Sequence, residues 1–146
     1  MWRAEAESLG IDEALGFGYG EHLLVWGWRR LADGRRDCPV LAREFTEAFG
    51  EDAAEVLATL AVFLRVLGRG SRKRLVVGPA CCLALTADER QVLNLVAAAL
   101  NGHEAAFEAN LVWLVRSEFH PALGVGARAL ASAFALHGLS LELVSR

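Results

Sequence analysis

The chain has 146 residues, 54% of them apolar, a mean hydropathy of +0.31 and a formal net charge of −3. That length carries a continuous core without disulfides or a structural metal. The acidic balance argues against a dedicated nucleic-acid binder, and three cysteines without paired spacing argue against a disulfide framework.

Aromatic residues are only 8%, so the apolar content is chiefly alanine and leucine, which favour helices. Glu5, Glu7, Asp12 and Glu13 stand where a secretory leader would need a basic start and an apolar run. The apolar windows at residues 53–68 and 92–100 are too short or too interrupted by charge to span a bilayer. A cytoplasmic, reducing location is the expectation.

Asp12 or Ser8 is a candidate cap for a first helix that Gly34 stops. The alternation of Gly16, Gly18 and Gly20 with Phe17 and Tyr19 instead allows a start near Gly20, or a close backbone approach there. Pro39, preceded by Asp37 and Cys38, opens a second helix with Leu41, Phe45, Ala48 and Phe49 on one face, ending at Gly50. A third helix is expected over residues 51–67. Its acidic start, basic end and encircling apolar residues suggest the central buried element.

Leu75, Val76 and Val77 before Gly78-Pro79 read as a short strand and turn, and residues 82–85 as its return. Thr86 and Glu89 form a capping box for a fourth helix that stops at Asn101-Gly102. A fifth helix over residues 103–116 turns Phe107, Leu111 and Leu114 inward. Pro121 opens a sixth that Gly138 ends. Leu139, Leu141 and Leu143 then alternate with polar residues, the period of a half-buried strand. The expected fold is mainly α: one single-domain bundle of about six helices with a minor sheet of two or three strands at residues 74–78, 82–85 and 139–144.

Three groups of residues invite a chemical reading. Cys38, Cys81 and Cys82 are candidates for a thiol switch or a thiolate metal site if Cys38 meets one of the adjacent pair; buried free cysteine is otherwise a small hydrophobe. The helix start at Cys38 lowers a thiol pKa. Cys38-Pro39 also matches a two-residue haem-contact motif, but no second axial ligand accompanies it, and no cofactor is assigned. His22, Trp26 and Arg29 fall on one helical stripe, with Trp28 beside it, suited to an interface or to a bound anion or aromatic ligand. Arg65, Arg69, Arg72, Lys73 and Arg74 form a basic run that suits an anion, nucleic acid or a solvated helix end.

No GxSxG, HExxH, P-loop or dinucleotide fingerprint occurs. The leading expectation is a non-catalytic module acting through contact with a protein partner, self-associating as a homo-oligomer. The alternatives are a thiol-based redox sensor or metal- or haem-binding protein built on Cys38 with Cys81 or Cys82, and anion or nucleic-acid binding by residues 65–74.

Overall fold

A computed structural model describes residues 18–34, 38–79 and 84–142, and these are mainly helical. The helices are α1 (Tyr19–Ala32), α2 (Pro39–Phe49), α3 (Ala53–Gly70), α4 (Ala87–Asn101), α5 (Glu104–Leu114) and α6 (His120–Leu136). Short 3-10 turns at Gly50–Asp52 and Ser117–Phe119 lead into α3 and α6. The punctuation follows local chemistry. Gly34, Gly50, Gly102 and Gly138, each expected to end a helix, all take positive φ. Pro39 opens α2, and Thr86 accepts from the Glu89 N–H while Glu89 accepts from the Thr86 N–H, completing the capping box of α4.

Helix α1 starts at Tyr19, so within the described residues the later of the two expected starts holds. The candidate caps Ser8 and Asp12 lie outside them. Helices α3 and α6 run antiparallel: Phe119 packs on Gly70, Phe63 on Gly126, and His137 at the far end hydrogen-bonds Asp52 at 2.9 Å. One apolar cluster draws on all six helices. Its centre is not α3, which buries only the stripe Ala53, Val56, Leu60, Phe63, Leu67 and Gly70. The enclosed elements are α1, buried at every position from Gly20 to Arg29, and α4, buried from Leu95 to Ala98. The apolar count of α3 misled because its outer Val62 is left exposed.

The expected minor sheet is absent from the described residues, where one isolated bridge joins Ser71 to Val115. Residues 82–83 and 143–144 of the expected strands fall outside the description. Leu75 to Val77 and Leu139 to Leu141 are irregular and do not pair, because they sit at opposite ends of α4. Asp88, in the first turn of α4, accepts the Val76 N–H at 2.7 Å. Asn101, its last residue, donates to the Leu141 carbonyl at 2.8 Å. Side chains complete the backbone hydrogen bonding that a ladder would have supplied. Thr86 Oγ1 donates to the Val76 carbonyl, and the Glu21 carboxylate accepts from the Glu142 N–H.

Glycine 20 makes the last of these contacts possible, since an added Cβ would overlap the Ser140 carbonyl oxygen. Gly20→Ala is therefore expected to lose about 1–3 kcal/mol through overpacking. Gly68→Ala, on the open face of α3 with nothing within 4 Å of the new methyl, should gain about 0.5–1 kcal/mol from helix propensity. Urea denaturation of the two variants beside the parent chain checks both signs.

Candidate functional site

The densest polar constellation lies inside the molecule. Arg29 projects from α1 and Glu89 from the first turn of α4, both fully buried. The guanidinium meets the carboxylate in a fork: Nε to Oε2 at 2.8 Å and Nη2 to Oε1 at 2.7 Å. Its other donors reach the Pro79 carbonyl at 3.1 Å and the Ala84 carbonyl at 2.7 Å. Glu89 also accepts the N–H groups of Gly78 and Thr86 at 2.8 and 2.9 Å. A Cβ at Gly78 would press on the guanidinium, so only glycine lets the backbone come this close.

Burial by itself would raise the pKa of Glu89. The hydrogen bond from Arg29, then those from Thr86 and Gly78, outweigh it and hold the carboxyl below its usual range. Every strong donor and acceptor here points at another protein group. The constellation is a clamp on the chain that follows α3, and it leaves no polar group directed at a ligand.

The stripe of His22, Trp26, Trp28 and Arg29 is likewise internal. Trp26 is 4% and Trp28 6% exposed, and His22 is buried with them. The expectation that these residues face a partner is therefore corrected: α1 is surrounded, and amphipathic spacing does not distinguish a packed face from an outward one. The cation over the Trp26 ring is Arg30, at 5.4 Å, because Arg29 is committed to Glu89.

Cys38 is the one thiol among the described residues; Cys81 and Cys82 lie outside them, and so does any approach of Cys38 to either. Half-buried, it is the N-cap of α2 and accepts a hydrogen bond from Arg30 Nη2 at 2.7 Å, with the backbone of Val40 and Leu41 at the helix start beside it. Partial burial opposes ionisation of the thiol. The Arg30 hydrogen bond, then the backbone of Leu41 and Val40, more than offset that and lower its pKa from the ordinary 9.0. No group of three metal-ligating side chains occurs among the described residues.

The basic run is a surface feature. Arg72 donates from Nε to the Val112 carbonyl at 2.7 Å, and Lys73 pairs with Asp88 at 2.9 Å. Arg65, Arg69, Arg72 and Arg74 are exposed and make no ion pair among the described residues. The end of α3 is tied to the end of α5 by the Ser71–Val115 bridge and by Arg72 N–H to Leu114 O and Arg116 N–H to Gly70 O. That tie brings Arg116 and the 63%-exposed Trp113 to the same face. Trp113 had no place among the sequence candidates. Its signal was its position off the inward stripe of Phe107, Leu111 and Leu114. A separate cleft of about 350 Å³ between α1 and α3, lined by Trp28, Leu31, Ala61 and Leu64, has Arg65 as its one charged wall.

No described helix is long and apolar enough to cross a membrane.

Glu89→Ala would leave Arg29 buried without its counter-charge and is expected to cost about 3–5 kcal/mol in urea denaturation. Arg29→Met combined with Glu89→Leu should recover little of it, because Gly78, Pro79, Ala84 and Thr86 lose their partners too. The lowered pKa gives a stabilisation fully present above the ordinary carboxyl value of 4.5 and lost as pH falls through the folded value. The urea midpoint of the parent chain should thus begin to fall below about pH 4.5, with that component missing from Glu89→Gln.

No protein-family model, no curated protein and no solved structure matches this chain, so its residues are the whole basis for a functional reading.

Proposed function

We propose that this chain is a non-catalytic helical module that works by contacting protein, through the face formed by the ends of α3 and α5. The observation that carries this reading is Trp113, 63% exposed beside the 52%-exposed Val112, whose carbonyl accepts from the exposed Arg72. Exposing an indole and a valine together is unfavourable in water, and tryptophan with arginine is the composition enriched at interface centres. Arg29 and Glu89, the densest polar pair of the interior, are spent on each other and on backbone, which leaves contact to the surface.

A photoreactive residue at the exposed Ala109, one helical turn from Trp113, tests the reading in cells. Protein adducts are expected from position 109, not from the exposed Ala58 on α3, and Trp113→Ala should abolish them. Equal adducts at the two positions, no adducts, or indifference to Trp113→Ala overturns it.

A second reading rests on Cys38. The Arg30 guanidinium and the start of α2 favour its thiolate, the form that reacts with oxidants and electrophiles, which supports thiol-based sensing. With Cys81 and Cys82 replaced by alanine, the alkylation rate of Cys38 should rise with a midpoint below pH 9.0. Arg30→Gln should move that midpoint up. A midpoint at or above the ordinary value, or one that ignores Arg30→Gln, removes this reading.

A further inference from the structure

The two ends of α3 carry opposite charge, and each has an apolar side chain exposed beside it. At the C-terminal end, Arg69, Arg72 and Arg74 are exposed, Arg72 reaches the Val112 carbonyl one residue from the exposed Trp113, and Arg116 bonds the Arg69 carbonyl while pairing with Glu118 at 3.7 Å. At the N-terminal end, Glu51 and Glu55 are exposed without ion-pair partners, and Glu47 is exposed on the adjoining α2. The same end holds Leu136, 76% exposed and next in sequence to His137, which hydrogen-bonds Asp52 at the start of α3. Helix α3 has 18 residues, so the two ends stand about 27 Å apart. That is several Debye lengths at physiological salt, too far for one end to neutralise the other within a molecule.

The helix dipole accounts for acids at the start of α3 and for Arg69 at its end. It does not account for Arg74 on the following chain or for the exposure of Trp113 and Leu136. Those features belong to two surfaces matched in charge and each holding an apolar centre.

We propose that the partner of the Trp113 face is a second copy of this chain, docked head to tail, its Glu51, Glu55 and Leu136 end seated on the first copy's arginines and Trp113. This rests on the contact reading above and specifies its partner. Such an interface is heterologous: the docked pair keeps one basic and one acidic end free, so the assembly grows into a ring or an open filament instead of stopping at a two-fold dimer. Charge complementarity sets the register, and the indole against Leu136 supplies the dehydrated centre.

Sedimentation velocity of the full chain over a concentration series, at about 0.05 M and about 0.5 M salt, tests the proposal. The expected result is concentration-dependent growth in mass at low salt that reverses at high salt. Arg69→Ala/Arg74→Ala and Glu51→Gln/Glu55→Gln, each alone, should sediment as monomers. Mixed, they should stop at twice the monomer mass, because each retains the one end that the other lacks. Trp113→Ala should weaken growth about thirtyfold. All these substitutions are at exposed positions, and thermal melts matching the parent chain verify their folding.

Monomers at every concentration and salt, a two-fold dimer indifferent to the substitutions, or a mixture that stays monomeric overturns the proposal. So does an oligonucleotide that binds a monomeric chain through the same arginines. If the chain is monomeric yet Ala109 adducts form with another protein, the head-to-tail copy is wrong and the contact reading stands. Absence of both growth and adducts removes the two together.

Discussion

The ion pair between Arg29 and Glu89 is the constraint on which the rest of the arrangement depends. It joins the two most enclosed helices, α1 and α4, at a point where neither charge reaches water. A buried pair is stable only if its remaining lone pairs and protons find partners. Among the described residues they come from backbone, with the Pro79 and Ala84 carbonyls for the guanidinium and the Gly78 and Thr86 N–H groups for the carboxylate. Residues 78–79 and 84–86 are therefore set in place by the desolvation demands of one pair of side chains. Adjoining contacts extend the hold, as Asp88 takes the Val76 N–H and Lys73 and Thr86 takes the Val76 carbonyl.

With its connection fixed, α3 presents its ends in a defined way. The chain leaving α3 crosses the end of α5, where the Arg72 N–H bonds to the Leu114 carbonyl and the Arg116 N–H to the Gly70 carbonyl. This crossing turns a run of basic residues into one side of a face that includes Trp113. A solvated turn carrying the same arginines would have had no indole among them. The surface features that support a contact role are thus downstream of the interior polar centre.

The helices were legible in the sequence because their signals are local. Glycine at four helix ends, proline at the starts of α2 and α6, and the Thr86–Glu89 box each act within a turn of the backbone. What was not legible depends on distant partners. The alternation of Leu139 and Leu141 reports one buried side of an extended segment, and it says nothing of whether the backbone bonds to a strand or to Glu21 and Asn101. Glu89 was readable as a cap, but its ion pair spans 60 residues of sequence. The stripe of His22, Trp26 and Arg29 was real as periodicity and inward as placement, because a helix packed on all sides has no outer face for its polar residues. Trp113 was the reverse case: it stands outside its helix's apolar stripe, and the local pattern already put it outward.

The bond from the Glu142 N–H to the Glu21 carboxylate closes a loop of 121 residues. On a ribosome, α1 is the earliest described helix to be synthesised, yet Glu21 and the close approach at Gly20 are satisfied only when the chain after α6 has arrived. The most enclosed helix is thus the one that waits longest for its full surroundings. Until then its tryptophans, its ionised arginine and its buried carboxylate lack partners made later, which makes the nascent chain, more than the finished one, the state that exposes α1.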